Sequence, residues 1–351
     1  YQNGDIVDVV SNKGRYLGTG WVNDHSKIRV RIISRNANDT FDEAFFRRRV
    51  CYALNYRKTV MGPVDYRCCR LIFGEADQFP GLTVDRFENI LVTQVLSLGM
   101  ERRKDWVYRA LVELLREDGE QIDAIYERND VAIRTLEGLE QGKGFYQMEG
   151  LRTDLSGHVT ITENGIKYDV DYIEGQKTGF FLDQKYNRQA AAKLARGRRV
   201  LDCFTHTGAF ALNAAAAGAE HVTAVDVSAF ALELAAENGK RNGLTNLDYK
   251  CADVFDLLTE MAKEKKCDYD YIILDPPAFT KSRATAKNAY HGYKEINRKA
   301  MRLLPRGGYL ATCSCSHFMT DEMFRKMLQE AALDAGVTLR QIEARQQAPD
   351  H

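Results

Sequence analysis

Five stretches of this chain carry side chains able to do chemistry. They are Phe204-Thr205-His206-Thr207-Gly208, Asp226, Asp253, Asp275-Pro276-Pro277 and Cys315. Carboxylates accept hydrogen bonds from hydroxyl and amino groups, and a cysteine that can lose its proton is a nucleophile. An acid before two prolines lies in a stiff loop, because neither proline donates an N–H and both fix φ. Such a loop has free carbonyls to hold a flat, amide-like group such as a nucleobase, and Phe279 offers it a stacking face.

Each of these groups follows an apolar run of strand length. Val200–Phe204 runs into the turn 205–208, and an Ala-rich helical run, Ala209–Ala217, stops at Gly218. His221–Val227 carries Asp226 at its tip, and Ser228 is a good N-cap for a helix reaching Asn242. Leu247–Cys251 precedes Asp253 and a helix over Val254–Lys263. Tyr269–Leu274 is almost continuous in Tyr, Ile and Leu, as a strand buried on both faces is, and leads into Asp275. A helix over Lys294–Leu304, a turn at Gly307-Gly308, a fifth strand Tyr309–Cys315, a helix Asp321–Ala335 and a strand Leu339–Arg345 complete the pattern. This alternation predicts an α/β fold with a doubly wound, Rossmann-like parallel sheet, whose ligands lie at the carboxyl ends of the strands. Cys313, two residues before Cys315, shares its face on the expected strand. It is a rival nucleophile, read here as packing.

Strand, turn, helix and strand with an acid at the second tip form a unit that binds an adenosine-bearing cofactor, the acid holding the ribose hydroxyls. The alternative is an ordinary βαβ unit with no ligand. The turn has one glycine instead of G-x-G-x-x-G, which disfavours a pyrophosphate and hence a dinucleotide dehydrogenase. S-adenosylmethionine, which has no phosphates, suits the bulkier turn. Asp253 is placed to accept from the adenine amino group.

Upstream, Asp5–Val10, Tyr16–Trp21 and Ile28–Ile33 read as short strands punctuated by Gly14, Gly18 and Gly20. A helix over Phe41–Lys58 follows. Strands at Arg70–Phe73, Ile90–Leu96, Ala124–Glu127 and Val131–Leu136, with a helix at Lys104–Glu117, suggest a small α+β domain. Val159–Thr162 and Ile166–Val170 form a hairpin around Asn164-Gly165. In Gly175–Arg188, GQKTGFFLDQKYNR, Asp183 is placed to cap a helix over Gln184–Ala195. The expected layout is a β-barrel over 1–40, a linker helix over 41–58, a central α+β domain over 59–174 and the large α/β domain over 175–351.

The chain has 351 residues, 44% hydrophobic and 28% charged, the balance of a globular protein with a sizeable core. No apolar run has membrane-spanning length and no signal peptide is visible. Eight scattered cysteines without C-x-x-C spacing argue against zinc and for a reducing, cytoplasmic compartment. Net charge is zero, but residues 1–58 hold eleven Lys/Arg against six Asp/Glu. That basic end suggests a polyanionic partner, although a solvated basic face would give the same count. The opening residues read as the middle of a domain, and a final antiparallel strand would be expected after Asp350-His351. Both ends are therefore expected to be truncated.

GDIVDVVSNKGRYLGTGWVNDHSKIRVRIIS, residues 4–34, resembles the PUA domain, an RNA-binding β-barrel, without its opening strand. FTHTGAF, AVDVS, LDPPAF and SCS, in this order after it, resemble the ribosomal RNA large subunit methyltransferase I family. The resemblance covers nearly the whole chain, including GQKTGFFLDQ. It implies an S-adenosylmethionine-dependent enzyme that makes 5-methylcytosine in large-subunit ribosomal RNA. It also implies that Phe204, Thr205, Gly208, Asp226, Val227, Asp253, Val254 and Asp275 line the cofactor site, and that Gln176, Lys177, Thr178 and Phe181 help to close it.

That chemistry assigns Cys315 as the nucleophile at C6 of the cytosine and Asp275 as the group on the base's edge. Many RNA 5-methylcytosine enzymes carry a second cysteine just after the prolines. Here that place is Ala278, so Cys315 acts alone or with another base. Ribosomal RNA is the expected partner and a membrane is not; a homodimer is compatible with the reading. Two other functions fit the same sequence: a methyltransferase acting on guanine without a cysteine, and an inactive RNA-binding module.

Overall fold

The computed structural model describes residues 1–264, 267–279 and 285–351, and the chain divides into two compact units. The first comprises Tyr1–Glu163, Asp169–Asp183 and Gln347–His351, and the second Asn164–Tyr168 and Gln184–Gln346.

The first unit opens with β1 (Ile6–Val10), β2 (Tyr16–Val22) and β3 (Val30–Ser34), an antiparallel three-stranded sheet in that order. α1 (Glu43–Asp65) begins where Asp42 accepts from the Phe45 N–H at 2.9 Å, and it bends at Gly62, φ +71°, just before Pro63. β4 (Cys68–Phe73), β5 (Leu82–Phe87), β6 (Ile90–Val95), α2 (Leu98–Glu101), α3 (Lys104–Glu117), β7 (Ala124–Asn129) and β8 (Gly142–Phe145) follow. The sheet order is β4-β5-β6-β7-β8, antiparallel except between β6 and β7. α3 is the crossover that this parallel pair requires. The expected strand Val131–Leu136 is instead a 3-10 helix, Ala132–Glu137. Its Ile133 and Leu136 are exposed, so their spacing had no buried face to serve. The first sheet is joined tightly to the second: a Cβ on Gly99 would lie on the indole of Trp21, which is 1% exposed.

A buried ionic network closes this unit. Arg57, 2% exposed, pairs with Asp77 and donates to the Asp350 carbonyl at 2.9 Å. Asp350 Oδ2 accepts from the Arg70 N–H at 2.8 Å. The Arg70 guanidinium pairs with fully buried Asp85 at 2.7 Å, and the other Asp85 oxygen accepts from Thr178 at 2.6 Å. β9 (His158–Glu163) and β10 (Ile166–Asp171) make a two-stranded sheet, turned by Asn164 and Gly165 at φ +54° and +79°. Both positive φ values are those of a type I′ hairpin.

The second unit contains α4 (Lys185–Ala192), β11 (Arg199–Cys203), α5 (Ala209–Ala216), β12 (His221–Asp226), α6 (Ala229–Arg241), β13 (Leu247–Cys251), α7 (Val254–Glu264), β14 (Tyr271–Leu274), α8 (Ala286–Leu303), β15 (Tyr309–Thr312) and α9 (Asp321–Ala335). Its strands run β13-β12-β11-β14-β15, every pair parallel. Side chains alternate across the sheet. Val200, Val222, Ala224, Tyr271 and Ile273 pack on one face with Phe210, Ala211 and Ala214 of α5. Leu201, Cys203, Val225, Ile272 and Leu274 pack on the other with Leu257, Leu258, Ile296 and Ala300 of α7 and α8. Helices on both faces explain why these strands read as unbroken apolar runs.

Three expectations are corrected here. Asp183 does not cap α4: a 3-10 turn, Leu182–Gln184, intervenes, and the helix starts after Gln184 without a side-chain cap. The fifth strand ends at Thr312, so Cys313 and Cys315 lie beyond it and the shared-face argument does not apply. Leu339–Arg345 is not a strand. Leu339 and Ile342 are exposed, and among the described residues no strand pairs with the outer edge of β15.

Candidate active site

Strand order reverses between β11 and β14, and the carboxyl ends flanking such a switch point are where open parallel sheets bind ligands. β11 ends at Cys203 and β14 at Leu274, so Phe204–Gly208 and Asp275–Pro277 leave the sheet side by side. The 204–208 turn is bent by two non-glycine residues in the left-handed region, Phe204 at φ +64° and His206 at φ +51°. Gly208, at φ +84°, admits α5: a Cβ there would meet Leu212 at 2.6 Å and Ala235 at 2.9 Å. Left-handed backbone at bulky residues is costly, and such strain concentrates at functional turns.

Asp226, at the tip of β12, holds this turn. Its Oδ2 accepts from the His206 N–H and its Oδ1 from the Ser228 N–H, each at 2.9 Å. The carboxylate is fixed with its oxygens at the sheet's rim, the placement that ribose hydroxyls need. Val227 and Phe230 beside it are 72% and 67% exposed, an apolar surface where a solvated residue would be expected. Asp253 Oδ1 accepts from the N–H groups of Phe255 and Asp256, so Asp253 caps α7 as well as standing at the β13 edge. Val254 behind it is buried.

On the far side of the switch point, Asp275 Oδ1 accepts from the Gln184 side-chain amide at 3.1 Å. Cys315 is exposed, and its thiol faces the Pro276 carbonyl at 3.7 Å. The nucleophile candidate therefore lies against the double-proline loop. Phe279 is not a free stacking face, because its ring packs against Tyr293 at 4.5 Å and Phe255 at 5.9 Å between centroids.

Residues the sequence reading passed over also meet here. Asp202, fully buried on β11, accepts from the Thr205 hydroxyl at 2.5 Å, and its Oδ1 has no hydrogen-bond partner among the described residues. Burial raises its carboxyl to about 7, with Asp275 and Asp226 adding repulsion. Burial also lowers the His206 imidazole below its ordinary value, against the attraction of Asp226, so it is neutral at pH 7. Asp202 was legible as the one acid inside the apolar run Val200–Phe204. Gln184 lay within the quoted GQKTGFFLDQ stretch.

Of that stretch, Gln176, Lys177, Thr178 and Phe181 belong to the first unit. Gln176 and Lys177 are exposed. The Lys177 ammonium lies 4.8 Å over the Phe181 ring, while Thr178 is buried with its hydroxyl on Asp85.

Residues 146–351 match the family model of S-adenosylmethionine-dependent methyltransferases, and residues 1–35 match that of PUA-like domains. Ribosomal RNA large subunit methyltransferase I of Photobacterium profundum is 43% identical over 350 residues, which cover 99% of this chain and 86% of that protein. The enzyme of the same name from Pseudoalteromonas atlantica is 42% identical with the same coverage. The chain belongs to the ribosomal RNA large subunit methyltransferase I family. It is an S-adenosylmethionine-dependent methyltransferase.

Two solved structures share the family's fold. One, a protein from Streptococcus mutans assigned as an S-adenosylmethionine-dependent methyltransferase, superposes with a TM-score of 0.77 at 23% identity, covering 94% of this chain and 82% of its own. The other, assigned as a methyltransferase and crystallised with S-adenosylhomocysteine, gives 0.80 at 23% identity, covering 99% and 87%. At that identity they speak to fold alone.

The residues present fit the family's cofactor. Asp226, Asp253 and Asp275 stand at strand ends along one rim, which favours a ligand bearing a sulfonium and an ammonium group. Neutral His206 adds no opposing charge. Among the described residues no cluster of His, Cys, Asp or Glu could hold a metal ion, and no helix is long and apolar enough to cross a membrane.

Proposed function

We propose that this methyltransferase forms 5-methylcytosine in large-subunit ribosomal RNA, with Cys315 as its nucleophile. The observation that carries the reading is the exposed Cys315 thiol beside the carbonyl of Pro276, the residue that follows Asp275 at the carboxyl end of β14. The relatives' printed name supports large-subunit ribosomal RNA as the substrate class.

C5 of cytosine is a weak nucleophile. Addition of the Cys315 thiolate to C6 makes an Sγ–C6 bond and pushes the ring electrons towards C5, which then takes the methyl group. S-adenosylmethionine, when bound, supplies that methyl on a sulfonium. A base takes the C5 proton, the C6–S bond breaks with its electron pair leaving on sulfur, and the aromatic ring and the Cys315 thiolate are restored. Asp275, aligned by Gln184, accepts from the amino group of a base swung out of any stack and favours protonation at its N3. Ala278 follows the prolines, so release falls to Cys315 and a base other than a second cysteine. When bound, the cofactor would be held by Asp226 at its ribose, by Asp253 at its adenine amino group with Val227 and Val254 beside the ring, and by Phe204, Thr205 and Gly208 at its amino-acid end.

RNA is held by the PUA-like region. The exposed Lys13, Arg15, Lys27 and Arg35 are the cations for its phosphates. Arg31, Arg47 and Arg57 are committed to Glu137, to Glu113 and Glu117, and to Asp77. The basic excess read from the sequence is therefore partly spent inside the fold.

The test is nucleoside mass spectrometry of large-subunit RNA treated with wild type and Cys315→Ala. The variant is expected to lose 5-methylcytosine formation by at least about a thousandfold while binding S-adenosylmethionine normally. Full methylation by Cys315→Ala would point to the guanine class, and absence of methyl transfer by wild type would leave an RNA-binding module.

A further inference from the structure

Cys315 lies in an irregular segment, three residues past the end of β15, yet a nucleophile must be held to within fractions of an ångström. Within the segment itself, the Ser316 N–H reaches the Ser314 hydroxyl at 3.4 Å, closing a tight turn whose apex is Cys315. What fixes that turn comes from α8. Tyr293 is fully buried, and its Oη shares a 2.8 Å hydrogen bond with Ser316 Oγ. Its ring packs at 4.5 Å on Phe279, the last residue of Asp275-Pro276-Pro277-Ala278-Phe279, and edge-on to Phe324 of α9 at 6.0 Å. Gly292 keeps room for this contact, since a Cβ there would approach Phe279 at 3.3 Å. One turn on, the buried Asn297 amide donates to the Tyr293 carbonyl at 2.8 Å.

We infer that Tyr293 is a positioning residue: it bolts the Ser314-Cys315-Ser316 turn and the double-proline loop to one helix, and so sets the Cys315 thiol against the base-binding edge. Tyr293, fully buried, offers no surface to a cofactor or a base. It acts through Ser316 on one side and Phe279 on the other. Burial raises its phenol above the ordinary value, so it stays a neutral donor and acceptor at any working pH. The inference rests on Cys315 being the nucleophile, and it adds the residue that places it.

Tyr293→Phe keeps the ring and its packing and removes one oxygen. Ser316→Ala removes the other end of the same bond. Steady-state methylation is measured for both variants and for the double variant, with S-adenosylmethionine affinity by calorimetry. Each single variant is expected to lower kcat about tenfold, with KM for RNA and cofactor affinity within twofold of wild type. The double variant should be no slower than the worse single one, because both remove one bond. Unchanged kcat in Tyr293→Phe, losses that multiply in the double variant, or an equal loss of cofactor affinity would each overturn the inference. Cys315→Ala serves as the control for the underlying reading. If it stays active, the cysteine mechanism is wrong whatever Tyr293→Phe does.

Discussion

The Thr205 hydroxyl donates to Asp202 Oδ2 at 2.5 Å, so the first turn of the cofactor edge is tied to a carboxyl that has no contact with water. An uncompensated charge in that place is costly, and the carboxyl rises from 3.8 to about 7. A raised folded value means that the protonated form is the favoured one. The contribution of Asp202 is fully favourable below the unfolded value and is lost as pH climbs to about 7, amounting to about 4 kcal/mol. Asp202→Asn should therefore gain thermal stability relative to wild type as pH rises from 4 to 7, with the gain levelling off above that. Melting temperatures of both proteins across this range check it, and a difference that does not change with pH refutes the burial argument.

Asp226 joins the turn and the ligand edge through two N–H bonds. Replacing it with alanine removes the proposed ribose acceptor and frees the His206 backbone. Charge-assisted hydrogen bonds contribute about 1.5–3 kcal/mol each, so S-adenosylmethionine should bind roughly ten- to a hundredfold more weakly to Asp226→Ala by calorimetry. Alkylation of Cys315, followed by peptide mass spectrometry, should proceed at the wild-type rate. Unaltered cofactor affinity would remove Asp226 from the pocket.

Gly208→Ala tests the seam between α5 and α6. The new methyl would meet Leu212 and Ala235 closer than carbon atoms pack, in a backbone region alanine avoids. A loss of about 1–3 kcal/mol is expected, seen as a melting temperature lower by several degrees.

In the first unit, burial alone would raise the Asp85 carboxyl, but the Arg70 guanidinium outweighs it and holds the group below its ordinary value. Its stabilisation is present above the unfolded value and is lost as pH falls through the folded one. Asp85→Ala, which leaves Arg70 largely buried without its partner, should cost about 3–5 kcal/mol at pH 7. The deficit relative to wild type should shrink in strong acid. Denaturant titrations at pH 7 and pH 3 measure both.

The sheet of the second unit was readable because helices cover both its faces: Val200–Cys203 and Tyr271–Leu274 had to be apolar at every position but Asp202. Caps were equally legible, as Ser228 accepts from Ala231 and Asn164-Gly165 turns its hairpin. The misses share a cause. Ile133, Leu136, Leu339 and Ile342 carry a strand's composition but are exposed, because pairing is decided by a neighbouring edge that local sequence does not contain. β8, Gly142–Phe145, is the converse, a glycine-rich segment recruited by the edge of β7. At the site, the acids and Cys315 announced themselves by type. Tyr293 and Gln184 did not, since their roles come from contacts with residues 23 and 91 positions away.

The first unit is assembled from three separated pieces of chain, and the Arg57 guanidinium and the Arg70 N–H both donate to Asp350 in the last of them. A ribosome making this protein delivers the two arginines early and Asp350 only after every strand of the parallel sheet. Until then Arg57 has Asp77 and Arg70 has Asp85, but both lack the bonds to Asp350. The first unit's consolidation waits on residues 347–351, and a ribosome stalled anywhere before them would hold a half-closed, protease-sensitive intermediate.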